Sequence, residues 1–393
     1  MRKTRAAAVV AARALIAGSI LVLAGCAWSP DGGSVGGGAP ATVADPRAAA
    51  APPRSFTLVA TGDVLIHQES SLVRGAAAAG RANGSGYDFS GIFAPVAHLI
   101  KGADLAICHL ETPVAEFSGP FRGYPLFEVQ PQIIDALADV GYDSCSTASN
   151  HSLDAGFDGL RRTLDTLDGR NVDHTGTFRT MEESQTPRIL EVQGVRVGHI
   201  SWTYGLNGIP LPDGRQWSVN VFDPRGPEVT GLRADAARVR QAGADMVIAS
   251  VHCCEEYVHD PTPAQVELVT ALLTSPDIDL VLGHHGHVVQ PFERINGKWA
   301  AYGLGNHVAE QDAGETEDSV IARFTLTEGD DGRFIVTHAE AIPTRIDLGS
   351  EAVTVVDTAT HRDSDADTSS YHRVIEILNR RGAAAAGLTI PER

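Results

Sequence analysis

The sequence predicts an α/β fold with parallel or mixed sheets, and three observations support this prediction. Short apolar runs alternate with segments of helical spacing from residue 56 onward, an alternation typical of layered α/β domains. Several of the apolar runs are followed at once by polar residues whose side chains can bind metal. This is expected where ligands bind at the carboxyl ends of strands. Hydrophobic residues make up 43% of the 393 positions, which is enough for a large core.

Each predicted element follows from its local pattern. The apolar runs predict strands over residues 56–60, 104–110, 143–147, 195–202, 246–251, 278–282, 299–304 and 321–326. Helical spacing predicts helices over residues 131–140, 157–167, 232–241, 263–273 and 374–378. The first of these helices has a proline at its start and Gly141 after its end, both of which are ordinary helix boundaries.

The amino terminus predicts export. Residues 1–25 form a lipoprotein signal peptide by this interpretation: basic residues precede an apolar run over 14–23, which is shorter than the ~20 residues of a spanning helix. Small residues lead into Cys26, so we expect cleavage before this cysteine and lipidation of its sulfur. The alternative is an ordinary signal peptide that ends near a cysteine. The lipoprotein interpretation places the chain on the extracytoplasmic face of a bacterial cell membrane.

The rest of the chain divides into three predicted parts. Residues 26–54 are rich in Gly, Ala, Pro and Ser and predict a flexible linker. Residues 55–345 hold the strand–helix alternation and form the predicted globular domain. Residues 346–393 predict a polar segment followed by a helix.

The net charge bears on the class of partner, and the cysteine content bears on possible disulfide bonds. Lys and Arg number 31 against 49 Asp and Glu, a formal net charge of −18, which argues against a nucleic-acid partner. Export permits disulfides among Cys108, Cys145, Cys253 and Cys254. A bond between Cys253 and Cys254 would strain the peptide between them, so we expect the cross-pairings instead. Four buried free thiols are the alternative.

Candidate metal ligands follow the predicted strands. Carboxylate, amide oxygen and imidazole donors suit a hydrolytic site with one or two divalent ions, and Mn, Fe and Zn all accept such a set. The predicted ligands are Asp63, Glu111, Asn150, His252, His285 and His287. His151 is the predicted catalytic residue: it could donate a proton to a leaving group, or it could bind the anion instead of metal. Taken alone, an Asp, Glu or Asn after a strand could be a cap or turn residue, and a lone His a satisfied core residue.

Several motifs occur in order along the chain and carry a resemblance. They are Thr61-Gly62-Asp63-Val64-Leu65, His109-Leu110-Glu111-Thr112-Pro113, Ser149-Asn150-His151-Ser152-Leu153-Asp154-Ala155-Gly156, Tyr204-Gly205-Leu206-Asn207-Gly208, His252 with Glu256-Tyr257, Gly283-His284-His285-Gly286-His287-Val288 and Gly303-Leu304-Gly305-Asn306. Over about residues 56–345 the set resembles the poly-gamma-glutamate capsule-biosynthesis CapA family, a branch of the calcineurin-like metallophosphoesterases. The resemblance implies a four-layered α/β/β/α sandwich and a phosphoesterase-type site. The matched segments add substrate-binding candidates, namely His284, Tyr204, Asn207, Glu256 and Asn306.

The chain departs from the pattern of this family at three places. Leu65 stands where calcineurin-like enzymes carry the histidine of an Asp-x-His motif, and His67 comes two residues too late. Cys253-Cys254 replaces the usual Trp-Gly, and His307 replaces an aromatic residue. Either of the last two changes could add a ligand or proton carrier; the alternative is that both only repack the pocket wall.

Two classes of function remain. The first is a lipid-anchored, metal-dependent hydrolase of phosphoester type that acts in the synthesis, export or anchoring of an anionic polymer such as poly-gamma-glutamate. The second is a non-catalytic, membrane-tethered accessory protein that binds the polymer or capsule-biosynthesis proteins. An amide hydrolase that uses the same metals is a third interpretation.

Overall fold

The structure is a computed structural model that describes residues 52–224, 229–311, 314–349 and 352–392. The predicted signal peptide, Cys26 and the predicted linker up to residue 51 lie outside the described residues. Arg54, the last residue of that predicted linker, pairs with Asp245 and Glu328 at 3.0 and 2.8 Å. Within the part of the chain that is described, no helix is both long and apolar enough to cross a membrane.

The strands, in chain order, are β1 (Ser55–Val64), β2 (Leu105–Leu110), β3 (Ser144–Ser146), β4 (Asp173–Thr175), β5 (Ile189–Val192), β6 (Val195–Thr203), β7 (Met246–His252), β8 (Leu280–His284), β9 (Phe292–Ile295), β10 (Lys298–Ala301), β11 (Asn306–Val308), β12 (Asp318–Glu328), β13 (Phe334–Asp347), β14 (Thr354–Asp357) and β15 (Leu388–Thr389). All eight predicted strands are present, with ends that differ by a few residues.

The α-helices are α1 (Ser71–Asn83), α2 (Ser90–Phe93), α3 (Ala97–Lys101), α4 (Gln132–Val140), α5 (Gly156–Gly169), α6 (Met181–Gln185), α7 (Thr230–Gln241), α8 (Pro263–Thr274) and α9 (Asp365–Leu378). Short 3-10 turns cover Ala94–Val96 and Gly314–Glu317. The predicted helix over 374–378 is the end of α9, which begins nine residues earlier, at Asp365. Its first turns are polar, but Ser364 and Asp367 form a capping box that fixes the start.

Two sheets form the centre of the fold. The first has the strand order β14-β13-β12-β1-β2-β3-β4, with β11 beside β1 and β15 beside β13; the second has the order β5-β6-β7-β8-β10-β9. Strands β1 to β4 are mutually parallel, and so are β6, β7 and β8. The carboxyl ends of the central strands are therefore grouped in each sheet.

The sheets pack face to face with helices outside them. Leu58 of β1 and Ile248 of β7 belong to the same apolar layer between the sheets. Their neighbours Val59 and Val247 point the other way, as alternation along a strand requires. Val59 packs in the layer of α4 and α5, and Val247 packs in the layer of α7 and α8. This is the predicted four-layered α/β/β/α sandwich, and that prediction is confirmed.

The boundary predicted at residue 345 does not exist in the structure. It falls inside β13, which continues to Asp347 and pairs with β14. Arg345 also binds Asp367 of α9, with Nη2 2.7 Å from Oδ1. Val374, Ile377 and Leu378 of α9 belong to the layer between the sheets. The carboxyl-terminal segment is thus part of the same domain.

The cysteines pair differently from the prediction. Cys108 and Cys145 form one disulfide and Cys253 and Cys254 form the other, so both the cross-pairing and the free-thiol expectations are wrong. Cys108 and Cys145 are direct neighbours on the parallel strands β2 and β3. Cys253 follows β7 in the other sheet, which leaves the adjacent Cys254 as its partner.

Candidate metal centre

The six predicted ligands meet where the two sheets adjoin. Strand β1 and the segments after β2 and β3 supply the acids and the amide, and the end of β7 and the loop after β8 supply the imidazoles. The predicted ligands therefore follow strands of both sheets, and the site lies between the two sheets. All six side chains are buried, namely Asp63, Glu111, Asn150, His252, His285 and His287.

Asp63 is fixed by hydrogen bonds from the second sheet. It lies inside β1, beside an irregularity in the pairing, rather than beyond the strand as predicted. Its Oδ1 accepts from Nδ1 of His284 at 3.1 Å, and its Oδ2 accepts from the backbone N–H of His285 at 3.0 Å. Burial opposes ionisation, but these interactions and the neighbouring imidazoles lower the pKa of Asp63 to about 2. Gly62 allows this position, because a Cβ there would lie 1.9 Å from the carbonyl oxygen of Gly305.

Glu111 is a buried carboxylate without a hydrogen-bond donor. Both of its oxygens are unpartnered, and Oε1 lies 3.9 Å from Nε2 of His252 and 3.9 Å from Nε2 of His287. Burial, and then the charges of Asp63 and Glu256, raise the pKa of Glu111 well above its usual value. A buried polar group without a partner requires an explanation, and a bound cation supplies one.

The donor atoms are close enough to share ions. Three sets of three side chains that include Glu111 or Asp63 each place their donor atoms within 4.8 Å of one another. These sets are Asp63, Glu111 and His287; Glu111, His252 and His285; and Asp63, His109 and His252. A fourth group joins Glu256 to His285 and His287. Oxygen and imidazole donors at this spacing fit one or two divalent ions.

The histidines of the loop after β8 adopt unusual backbone conformations. His285 and His287 have φ values of 84° and 53°, in the left-handed region that non-glycine residues rarely occupy. Burial, followed by the charge of His287, lowers the pKa of His285 to about 3. Such an imidazole is neutral, which is the form that binds metal. Strained backbone conformations are found at active sites and ligand-binding segments.

Asn306 orients one of these histidines. Its Oδ1 lies 2.9 Å from Nδ1 of His287, while its Nδ2 donates to Gln311 and to the carbonyl of Thr316. Because the amide nitrogen is used elsewhere, Nδ1 of His287 donates and its Nε2 lone pair points toward Glu111. Asn306 is completely buried, so it is a positioning residue and not the substrate contact that we predicted.

The other predicted substrate contacts divide into two groups. Tyr204 and Glu256 are half-buried beside His285, with ring centroids 4.7 Å apart and Glu256 Oε1 3.8 Å from His285 Nε2. Asn207 is exposed and accepts from Nδ2 of Asn150 at 3.3 Å. These three border the open side of the centre. His284 does not, because it is buried against Asp63.

His151 lies beside the ligands and has an acid partner that sequence reasoning missed. Its Nδ1 is 2.6 Å from Oδ2 of Asp154, and that carboxylate also accepts the backbone N–H of Phe127. The ring of Phe127 packs edge-on against His151 at 4.8 Å. The spacing of three residues between His151 and Asp154 was the available signal.

His109 is a second residue that sequence reasoning missed. Its Nε2 lies 2.9 Å from Nδ1 of His252, its Nδ1 2.8 Å from the Ser146 hydroxyl, and its ring stacks on His284 at 4.1 Å. Burial and the neighbouring imidazoles hold the pKa of His109 well below its usual value. It lies on β2 two residues before Glu111, which directly follows that strand, and this period of two could have indicated a shared face.

Leu65 and His307, two residues that depart from the family pattern, pack in the interior and do not join the metal centre. Leu65 is only 2% exposed and belongs to the core. His307 is buried between Phe93 and Tyr142, at 5.8 and 6.5 Å between ring centroids, so it repacks the interior instead of adding a ligand. Within the described residues, His67 belongs to none of the three-donor groups.

Comparison with known proteins identifies the family. The sequence profile described as bacterial capsule synthesis protein PGA_cap matches residues 57–311. The chain belongs to this family. The resemblance to CapA proteins, inferred from the ordered motifs, is therefore confirmed. The chain has the buried cluster of acids and histidines described above, which is compatible with a divalent metal site.

Individual relatives are distant. The PGA biosynthesis protein CapA of Bacillus subtilis (strain 168) is 27% identical over 249 residues, which cover 63% of this chain and 64% of that protein. The capsule biosynthesis protein CapA of Bacillus anthracis is 24% identical over 302 residues, covering 75% and 68%. A crystal structure of the calcineurin-like phosphoesterase YfkN from Bacillus subtilis superposes with a TM-score of 0.44 at 15% identity, covering 83% of this chain and 98% of that chain.

Proposed function

We propose that this protein is a metal-dependent hydrolase with a phosphoester-type site that acts in the synthesis, export or anchoring of an anionic capsule polymer such as poly-gamma-glutamate. The observation that carries the hydrolase proposal is the Glu111 carboxylate, which is buried with both oxygens unpartnered and lies 3.9 Å from the imidazoles of His252 and His287. Family membership and the names of the relatives support the capsule role. The lipid anchor at Cys26 and the extracytoplasmic location rest on the sequence alone.

The residues have distinct roles in this proposal. Asp63, Glu111, Asn150, His252, His285 and His287 would hold one or two divalent ions. A divalent ion bound there supplies an activated water and neutralises charge on a phosphoryl oxygen. His151 holds its Nδ1 toward Asp154, so its Nε2 is the atom that can give a proton to the leaving oxygen. Tyr204 and Glu256 border the side from which substrate enters.

The test compares metal content and turnover in matched variants. D63A and H285A each remove a ligand, so we expect loss of bound metal by elemental analysis and loss of hydrolysis of an aryl phosphate. D235N is the control, because Asp235 is also buried but binds Trp202 and Arg238 instead. Unchanged metal content and turnover in both ligand variants would refute the proposal.

A non-catalytic accessory role is the second proposal. Its support is Leu65, a buried core residue where the resemblance expects a histidine ligand, and the names of the relatives, which describe biosynthesis proteins. With a formal charge of −18, the chain would need a metal ion or a local cationic patch to bind a polyanion. Wild-type protein that is metal-free, inactive on aryl phosphates, and still restores polymer production in a deletion strain would favour this role.

A further inference from the structure

We infer that His109 is a positioning residue that fixes the orientation and tautomer of His252, so that Nε2 of His252 is presented to a cation. The inference rests on the proposed metal site and deepens it. The sequence offered His109 no role, and the resemblance assigned it none. The geometry supplies one, because a continuous hydrogen-bonded row runs from Ser146 through His109 and His252 to Asn150.

The direction of the bonds in this row determines which nitrogen is free. The Ser146 hydroxyl reaches the carbonyl of Cys108 at 3.3 Å and can donate to it. His109 Nδ1 then donates to Ser146, and its Nε2 accepts from Nδ1 of His252, since a neutral imidazole has one donor and one acceptor. In this direction Nε2 of His252 carries a lone pair.

That lone pair faces a second acceptor. Nε2 of His252 lies 2.9 Å from Oδ1 of Asn150, whose Nδ2 is turned toward Asn207. The unpartnered carboxylate of Glu111 lies 3.9 Å from the same nitrogen. Three acceptors facing one another repel unless a cation lies among them, so this direction of the row suits the metal-loaded site.

The reverse direction suits the site without metal. The Ser146 hydroxyl then donates to His109, His109 Nε2 donates to His252, and His252 Nε2 donates to Asn150. Both arrangements hold the same number of protons, and each ring differs only in which nitrogen carries its proton. The row can therefore satisfy its hydrogen bonds with or without the ion.

The surroundings keep His109 in place. It is completely buried, and its ring stacks on His284 with an angle of 17° between the planes. It also joins β2 of the first sheet to β7 of the second. His199 is a matched comparison: it is equally buried and bridges Ser144 and Ser250 at 3.1 and 3.0 Å, but it contacts no predicted ligand.

The experiment measures Zn²⁺ affinity by calorimetry on the detergent-solubilised full chain. We expect H109L to weaken the affinity about 10–100-fold, the usual effect of losing a partner of a metal-binding histidine. H109Q should recover most of it, because a glutamine amide can donate to Ser146 and accept from His252. H199L should leave the affinity unchanged even if its thermal unfolding temperature falls.

A second measurement covers the case in which H109L does not fold. Nitrogen-15 NMR of the wild-type histidines should show His252 protonated on Nδ1 with Zn²⁺ bound and on Nε2 without it. Wild-type affinity in H109L, equal losses in H109L and H199L, or Nε2-protonated His252 in the loaded protein would each overturn the inference. Wild-type protein that takes up no divalent ion would overturn the metal proposal as well, which distinguishes the two failures.

Discussion

Nδ1 of His151 lies 2.6 Å from Oδ2 of Asp154, and the backbone N–H of Phe127 donates to that oxygen at 2.8 Å. One buried carboxylate thus fixes both the imidazole and the segment that covers it. The arrangement leaves Nε2 of His151 as the nitrogen available to a substrate. It resembles in chemistry other acid–histidine pairs in which the acid orients a proton-transferring ring.

The first prediction concerns this pair. H151A should lower kcat for a phosphoester about 10²–10⁴-fold, the usual contribution of a general acid, and D154N should lower kcat less because the ring remains. Bound metal should stay at the wild-type amount in both variants, because neither residue is a predicted ligand. Elemental analysis and steady-state kinetics test this. A fall in metal content that parallels the fall in kcat would contradict the assignment.

The second prediction concerns Asn306. N306A removes the acceptor for His287 Nδ1, so we expect metal affinity to fall about 10–100-fold. The same change leaves buried partners unsatisfied and should lower the free energy of unfolding by about 1–3 kcal/mol. Calorimetric titration with Zn²⁺ and urea unfolding measure the two effects. N83A removes only exposed hydrogen bonds, to Asp88 and Ser85; as the control it should leave the metal affinity unchanged and lower the stability less than N306A does.

The third prediction concerns pH and the two buried acids in metal-free protein. Glu111 has a folded-state pKa above its unfolded value of 4.5, so its contribution to stability is complete below that pH and is lost as pH rises through the folded pKa. Asp63 has a pKa of about 2 against 3.8 unfolded, so its contribution is present above pH 3.8 and is lost toward pH 2.

These pKa shifts predict that conservative variants of the two acids change the free energy of unfolding in opposite directions. At pH 7 with a chelator present, E111Q should be more stable than the wild type, and D63N should be less stable. Urea unfolding between pH 4 and pH 8 measures this, with E376Q at an exposed position as the control. Added Zn²⁺ should stabilise the wild type by about 2.7 kcal/mol at one hundred times its Kd. Greater stability of metal-free wild type over E111Q at pH 7 would disprove the reasoning.

The fourth prediction concerns the carboxyl-terminal segment. D367A breaks a buried pair with Arg345 and should cost about 3–5 kcal/mol of unfolding free energy. E376A removes an exposed pair with Arg380 and should cost about 0–1 kcal/mol. Chemical unfolding of both variants tests the difference. If the segment were a separate tail, D367A would cost no more than E376A, and a chain ending at residue 345 would fold normally.

The fifth prediction concerns the amino terminus. C26S should abolish incorporation of radiolabelled fatty acid and release the protein from the membrane fraction, because the cysteine sulfur is the proposed site of lipid attachment. C254S is the comparison, since Cys254 is bonded to Cys253 and should not affect lipidation. Fatty-acid labelling retained in C26S would refute the lipoprotein interpretation.

Much of the fold could be predicted because local patterns and global packing agree. The central strands read as continuous apolar runs since both of their faces are buried, as for Leu58 and Val59 of β1. The start of α9 was missed because its first residues are polar and its cap consists of side-chain hydrogen bonds. Strand β14 was missed because only Val355 of its four residues is completely buried.

The site was predictable in its ligands and less so in its supporting residues. Asp63, Glu111 and the histidines after β8 each stand out by residue type next to an apolar strand. Asn306 and His284 share those types, and only the three-dimensional contacts show that they orient ligands and do not face substrate. The disulfide between Cys253 and Cys254 was not predicted. The sequence does not reveal that Cys108 and Cys145 are neighbours on adjacent strands, a pairing that leaves Cys253 and Cys254 to each other.

The placement of donors on both sheets has a consequence for when an ion can enter. Asp63 and His287 are separated by more than two hundred positions along the chain and meet only after the two sheets have docked. An unfolded polypeptide offers no such pocket, so under the proposed metal site capture of an ion would have to follow completion of the sandwich. The compartment in which the chain folds, with its own supply of manganese, iron or zinc, would then decide which element the proposed site takes up.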